Sequence, residues 1–251
     1  SSIASGRLSY ILGLHGPCAS CDTACSSALA AYHVGHRALQ QSECTISHVA
    51  GVNLMLSPTA GVMWAIAGLT SARGRSFPGD ARAGGYAQGE ACCSVALRGL
   101  PISPCAIGDA LGSAVRQDGR SASLTAPNGR AQQGLLTAAL SDASTPADAL
   151  VLNEAHGTGT ALGDPIEAGS LVAAVLSARD EALAVGGVKA NIGHAEPAAG
   201  MTGLLKLALG LRVGEAAPNA QLRLVNPHVG GTLHGVPCEV PVQLAAVNIG
   251  S

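Results

Sequence analysis

One cysteine and two histidines stand out, each in its own run of small residues: Asp22-Thr23-Ala24-Cys25-Ser26-Ser27, His156-Gly157-Thr158-Gly159-Thr160 and Lys189-Ala190-Asn191-Ile192-Gly193-His194. A candidate nucleophile with two imidazoles, each beside residues that permit close backbone approach, suggests carbon-sulfur or acyl chemistry. Cys25 opens an Ala/Leu/Ser-rich stretch, Cys25 to Gln41, that reads as a helix. The partial positive charge of a helix N-terminus is worth up to ~2 kcal/mol, which lowers a thiol pKa by about one unit. Cys25 is therefore expected to be the reactive thiol; the alternative is a buried structural cysteine.

His156 lies between a strand end and a Gly-Thr-Gly-Thr turn, placed to donate to a developing oxyanion, with the Thr158 and Thr160 hydroxyls available to a polar substrate arm. It can equally be a loop histidine whose glycines only make the turn. A dinucleotide loop fits worse, because Gly163 follows Gly157-x-Gly159 one residue too late. Asp164-Pro165-Ile166-Glu167 reads as a helix start, with Asp164 as N-cap and Glu167 at the capping-box position, so both carboxylates are taken as structural. Lys189, five residues before His194, either biases that histidine electrostatically or is an exposed charge. Cys18, Cys21 and Cys25 have a spacing that could suggest a metal, but no fourth cysteine lies nearby, and small apolar filler explains them better. No metal site is expected.

The elements that must position these residues follow from pattern. Val49 to Leu56 and Ala91 to Leu97 read as strands, and Gly99-Leu100-Pro101 as a boundary between lobes 1–100 and 101–251. Beyond it come an extended Cys105 to Ala114, a helical Ala131 to Leu140, a strand Ala149 to Glu154 running into the His156 loop, a strand Ala184 to Val188, a loop Lys189 to His194, and a helix Pro197 to Leu211. Reactive residues at strand-to-helix junctions indicate a layered α/β fold with its site at strand C-terminal ends.

Composition sets the bounds. Hydrophobic residues make up 47% of the 251 and aromatics 2%, so Ala, Val, Leu and Ile must fill the core around 33 glycines. A net charge of −2 without a basic run argues against nucleic acid or an anionic membrane as partner. The apolar stretch Ala50 to Leu69 is broken by Asn53 and Ser57-Pro58-Thr59, and Ala198 to Leu211 carries Lys206, so no membrane span is read. No secretory signal is visible, and eight irregularly spaced cysteines read as reduced thiols; the expected location is cytoplasmic, an organelle remaining open.

The chain resembles the ketosynthase (β-ketoacyl synthase) domain of type I polyketide synthases, in the thiolase-like superfamily. The likeness is carried by Asp22 to Ser27, Glu154 to Glu167 and Val188 to Glu196, which contain the three runs above, and by Gly6-Arg7-Leu8-Ser9-Tyr10, Ala50-Gly51-Val52-Asn53, Gly112-Ser113-Ala114, Gln117-Asp118-Gly119-Arg120, Leu124-Thr125-Ala126-Pro127-Asn128-Gly129 and Asn226-Pro227-His228. It implies a thiolase-like α/β/α/β/α fold of duplicated lobes, the N-terminal one partial, and a decarboxylative Claisen condensation in polyketide or fatty acid synthesis. Cys25 would take an acyl chain from a phosphopantetheine arm. His156 and His194 would stabilise the enolate of a malonyl unit, Lys189 would support the pair, and Thr158 and Thr160 would line the pantetheine channel. The implied partner is acyl carrier protein, the implied assembly a homodimer through Pro17 to Cys21, and no metal or redox cofactor is implied. The family's N-terminal lobe is expected to begin upstream of Ser1 and its Gly-Phe-Gly loop to follow Ser251. Ala83-Gly84-Gly85-Tyr86 departs from Ala-Asp-Gly-Tyr, Gln88-Gly89-Glu90-Ala91 from Arg-Gly-Glu-Gly, and Arg116 replaces an Asn. A thiolase or chalcone-synthase-like enzyme would lack this pair of histidine loops. A non-catalytic dimerisation or carrier-docking module is the alternative from another class, and a Cys-dependent hydrolase a further one.

Overall fold

A computed structural model describes residues 2–99, 104–123 and 125–248. Two small sheets carry the architecture. Strands β1 (Ile46–Asn53) and β2 (Ala91–Arg98) pair antiparallel from Ile46↔Arg98 to Asn53↔Ala91. Strands β3 (Leu152–Glu154), β4 (Leu183–Gly186) and β6 (Cys238–Glu239) form a parallel sheet in the order β3-β4-β6. A third, minimal pair joins β5 (Glu215–Ala216) to β7 (Ala245–Ala246).

Helices separate and cover these sheets. α2 (Ser27–Gln40) and α7 (Ala199–Val213) lie between them: Ala28 of α2, Val49 of β1 and Met201 of α7 form one buried cluster with Cys93, Val95 and Leu97 of β2 against it. On the far face of the parallel sheet, α5 (Gly163–Ala174) supplies Leu171 to a second cluster with Val175, Leu176 and Leu183, joined by Leu136 and Leu140 of α4 (Gly129–Asp142) and Leu233 of α8 (Pro227–Leu233). The layers are thus α/β/α/β, with the outer face of β1–β2 carrying exposed Ile46 and Val52. Small residues make the layers close. A Cβ on Gly51 of β1 would stand 2.9 Å from the Ala28 Cβ and 3.1 Å from the Ala198 Cα, so only glycine permits this approach.

The boundaries have local causes. Asn128 caps α4 by accepting the Arg130 and Ala131 N–H groups, and Gly214 ends α7 in the left-handed conformation. β1 starts and ends three residues before the expected Val49 to Leu56, because Asn53 and Met55 bond to Gly89 and Glu90 and turn the chain away. Ser57 then caps α3 (Pro58–Ile66), with Pro58 in the first turn. Cys105 to Ala114 forms no ladder; Ser113 is held instead by Asp142, His33 and His36. The Lys189 to His194 loop contains a short helix, α6 (Lys189–Ile192). Leu100 and Pro101, two of the three residues of the expected lobe boundary, lie outside the described residues.

The accessible surface is 14470 Å², against about 10,000 Å² for a typical compact monomer of this mass. Large apolar side chains stay in water: α1 (Ala4–Leu12) and α3 bury no residue, and Tyr10, Ile11, Leu56 and Ile66 are exposed.

Candidate active site

Cys25 lies ahead of α2 rather than inside it, on a sharp elbow. The preceding Ala24 has φ of 54°, a left-handed conformation costing of order 1–3 kcal/mol in a residue with a Cβ. Neighbouring hydroxyls hold it there. Ser27 Oγ accepts the Thr23 N–H at 2.8 Å and donates to the Ala24 carbonyl at 2.6 Å, while Ser26 Oγ donates to the Thr23 carbonyl at 2.9 Å. The thiol is half-buried, and desolvation pushes its pKa up; the nearby Lys189 charge and a backbone hydrogen bond pull against this without winning. The expected lowering by the helix terminus is therefore corrected: burial outweighs it, and Cys25 rests as a thiol.

The His156 loop is clamped by the two carboxylates of α5. Glu167 accepts the His156 N–H at 2.5 Å and the Gly157 N–H at 2.8 Å, one on each oxygen. Asp164 accepts from Gly159 at 3.1 Å, Thr160 at 3.3 Å and Gly79 at 2.8 Å. Neither is a helix cap, which corrects the capping-box expectation. The helix begins at Gly163, whose N–H is taken by Thr160 Oγ1 at 3.1 Å, and the preceding loop offers the carboxylates more unpaired donors than the first turn does. Thr160 is thus engaged in the turn, with Thr158 Oγ1 3.4 Å from its hydroxyl. Burial pushes the Asp164 and Glu167 carboxyls up in pKa, and their N–H partners and Lys189 pull them back.

His194 arrives from the opposite side, after Gly193 at φ 78°, where a Cβ would meet the Gln88 carbonyl at 2.9 Å. The Glu196 N–H donates to His194 Nδ1 at 3.1 Å. Nδ1 is therefore the acceptor, and the proton of the neutral ring is on Nε2. Burial and the Lys189 charge push His194 down to about 3; His156 is an exposed residue, but the surrounding protein still desolvates its ring and, with the Lys189 charge, pushes it to about 4, so both rings are neutral near pH 7. Lys189 is buried, 4% exposed, among Glu167, Glu154, Cys25 and Asp164; desolvation lowers its pKa and those groups raise it. Glu154 ties the two histidine loops together, accepting the Val188 N–H at 2.5 Å and pairing with Lys206 at 2.6 Å.

The three candidates converge. Cys25 Sγ is 3.9 Å from His156 Nε2, the His156 and His194 ring centroids are 5.7 Å apart, and the donor atoms of all three lie within 4.8 Å of one another. By donor type the trio resembles a zinc set. A metal on His194 Nε2 would displace its proton to Nδ1, against the Glu196 N–H, so the ring is arranged to donate rather than ligate. Cys18 and Cys21 do not join Cys25 in any such cluster among the described residues. Sequence reasoning gave no role to Tyr86, Gln88, Glu154, Glu196 or Lys206; the departures of Ala83-Gly84-Gly85-Tyr86 and Gln88-Gly89-Glu90-Ala91 from the family patterns were the signal that pointed toward that strip. A hollow of about 480 Å³, lined by Glu154, Val188, Ile192 and Lys206, flanks the site without including the trio.

Comparison with known proteins places these features in a family. Residues 1–101 match "Beta-ketoacyl synthase, N-terminal domain" and residues 107–223 match "Beta-ketoacyl synthase, C-terminal domain". Among curated proteins, a phenolphthiocerol/phthiocerol polyketide synthase of Mycobacterium tuberculosis is 42% identical over 235 residues, covering 91% of this chain and 12% of that protein. The erythronolide synthase of Saccharopolyspora erythraea is 38% identical over 248 residues, 96% of this chain and 7% of that protein. Among solved structures, the oxazolomycin ketosynthase domain of Streptomyces albus matches with a TM-score of 0.89 and 34% identity, over 96% of this chain and 42% of that one. The ketosynthase from module 6 of the bacillaene synthase of Bacillus subtilis 168 matches with a TM-score of 0.90 and 31% identity, over 99% of this chain and 45% of that one. The chain thus spans less than half of these ketosynthase structures and a small part of the curated synthases.

Proposed function

The chain belongs to the β-ketoacyl synthase family, as part of a polyketide-synthase ketosynthase with the thiolase-like α/β fold, and from that premise we propose that it catalyses decarboxylative Claisen condensation. In the first half-reaction Cys25 Sγ attacks an acyl thioester on the phosphopantetheine arm of an acyl carrier protein. The C–S bond to the pantetheine arm breaks as the bond to Cys25 forms, and the thiol proton leaves with the pantetheine sulfur, so that His156 keeps its own ring proton for the second half-reaction. In the second, the malonyl C–C bond to the carboxylate breaks, carbon dioxide leaves, and the electron pair enters an enolate whose oxygen lies against the Nε2 atoms of His156 and His194. The enolate carbon then attacks the acyl-Cys25 carbonyl, a C–C bond forms, the C–S bond breaks, and the departing Cys25 thiolate takes up a proton from solvent to regain the resting thiol. Lys189 supplies positive charge behind the pair, and Thr158 and Thr160 line the approach of the arm. Decarboxylation itself produces the carbanion, so the scheme uses no metal or redox cofactor.

The observation that carries this reading is the pair of neutral imidazoles facing one thiol, with His194 locked as an Nε2–H donor. Removing one oxyanion donor costs about 10²–10³ in rate. In the full-length protein, Cys25→Ala is expected to abolish acyl loading and still release carbon dioxide from malonyl carrier protein. His156→Ala and His194→Ala are expected to load and lose decarboxylation. Parent-rate decarboxylation by both histidine variants would refute the assignment.

The lobes 1–100 and 101–251 supply the nucleophile and the histidine pair respectively. Pro17 to Cys21 has no ladder partner within its own chain among the described residues, and Pro17, Cys18, Ala19 and Ser20 are exposed beside the apolar α1. This stretch is the proposed two-fold contact of a homodimer, and a monomer on sedimentation at micromolar concentration would remove it. No helix among the described residues is long and apolar enough to cross a membrane. We place the enzyme in the cytoplasm, where its thiols Cys18, Cys21, Cys25, Cys44, Cys92, Cys93 and Cys238 stay reduced.

A further inference from the structure

The strip Tyr86–Gly89 of the first half is laid along His194 of the second. The His194 N–H donates to the Ala87 carbonyl at 2.7 Å, and the Gly89 N–H donates to the His194 carbonyl at 2.9 Å. The Tyr86 ring stands edge-on to the His194 imidazole at 4.8 Å. Two side chains of the strip then reach past His194 to Glu196. Gln88 Nε2 donates to Glu196 Oε1 at 3.0 Å, and Tyr86 is close enough to the same side chain that, after burial, the Glu196 charge is the next cause raising its hydroxyl pKa.

Glu196 needs this anchorage. Its φ is 37°, a left-handed value in a residue with a Cβ, immediately before Pro197. Non-glycine residues persist there only where their surroundings over-determine the backbone. In that conformation the Glu196 N–H meets His194 Nδ1. Relaxation of Glu196 toward negative φ would turn the N–H away and leave Nδ1, in a ring 3% exposed, without its donor. The ring could then carry its proton on Nδ1 and present a lone pair, not a donor, to the enolate oxygen.

We propose that Glu196, anchored by Gln88 beside Tyr86, is the positioning residue that holds His194 in the Nε2–H tautomer. This rests on the assignment of His194 to enolate stabilisation. The neutral carboxamide of Gln88 suits such anchorage, because it fixes the carboxylate without adding a cation beside the thiol.

Long-range proton-nitrogen correlation of the His194 ring in the full-length parent at pH 7 tests the tautomer directly. An Nε2–H signature is expected, and an Nδ1–H signature would overturn the proposal whatever the variants do. Glu196→Ala is expected to give a tautomer mixture and a fall of about tenfold to a hundredfold in carbon dioxide release, with Cys25 acyl loading changed by less than about threefold. Glu196→Gln, which keeps an oxygen acceptor for Gln88, is expected to restore release to within about threefold of the parent. Glu196→Gly separates strain from anchorage, because glycine tolerates the φ while losing the carboxylate; it should release carbon dioxide faster than Glu196→Ala, and a glycine variant as impaired as the alanine one would overturn the role given to backbone strain. Should Glu196→Ala fail to fold, Gln88→Leu carries the same expectation. Parent-rate release by Glu196→Ala or by Gln88→Leu, while His194→Ala is inactive, would overturn this inference alone. Parent-rate release by both His156→Ala and His194→Ala would instead overturn the functional reading beneath it.

Discussion

Glu167→Gln keeps the shape of the side chain and replaces one of its two acceptors with a donor. In the parent each oxygen holds one N–H of the His156 loop, at 2.5 Å and 2.8 Å. The carboxamide can accept only one; the other N–H then faces an NH₂ group. A hydrogen bond to a charged group contributes about 1.5–3 kcal/mol, and losing one while neutralising the other sets an expected destabilisation of about 2–3 kcal/mol. In urea, with a slope of about 2–3 kcal/mol per molar, the unfolding midpoint should fall by about 1 M. Because the loop carries the His156 ring to the thiol, carbon dioxide release should fall by about tenfold to a hundredfold, well beyond any effect on acyl loading. A variant with the parent midpoint and parent release rate would show that the two-pronged contact does not hold the loop.

Acid should destabilise the protein through its neutral histidines. The unfolded chain takes up a proton at His194 near pH 6.5 and the folded chain only near 3. This stability is full above about pH 6.5 and is lost as pH falls toward 3, at about 1.4 kcal/mol per pH unit, or about 2 kcal/mol by pH 5. His194→Gln should flatten that part of the profile in urea titrations at pH 7.5, 6 and 5, and an unchanged slope would contradict the assignment. Thiol labelling should not single out Cys25 as sequence alone implies. Cys18 is exposed and the Ser5 and Ser9 hydroxyls lower its pKa, whereas burial raises that of Cys25. In protein diluted until the contact through Pro17 to Cys21 is dissociated, a limiting iodoacetamide pulse is expected to mark Cys18 first, and an acyl thioester to load Cys25; peptide mapping that found the reverse order would refute both statements.

The trio is legible in the sequence because each member lies in a short run of small residues, a pattern that survives without any knowledge of neighbours; only His156 directly follows a strand. The supports of the trio are not legible. Asp164 and Glu167 satisfy a capping pattern locally, and only the tertiary position of the His156 loop decides that their oxygens turn toward it. Gln88 meets Glu196 across 108 residues, and such a contact leaves no periodicity to read. α3 shows the opposite error. Ser57-Pro58-Thr59 reads as an interruption of an apolar stretch, and it is a cap and first turn, with Ser57 Oγ accepting the Thr59 N–H. Strand ends shift where side chains such as Asn53 close the ladder early, a choice made by partners near β2 rather than by β propensity.

The joining of Cys25 to two imidazoles from the other half also orders events during synthesis. The thiol and His156 are 131 residues apart, and His194 is later still. At about 5–20 residues per second the ribosome delivers His194 roughly 10 to 30 s after Cys25. Throughout that interval the nascent chain carries an elbow cysteine with no imidazole beside it and no strip partner for residues 86–89. The chain therefore cannot decarboxylate a malonyl unit or form the new C–C bond before its second half has folded onto the first, and premature condensation is avoided by chain order alone.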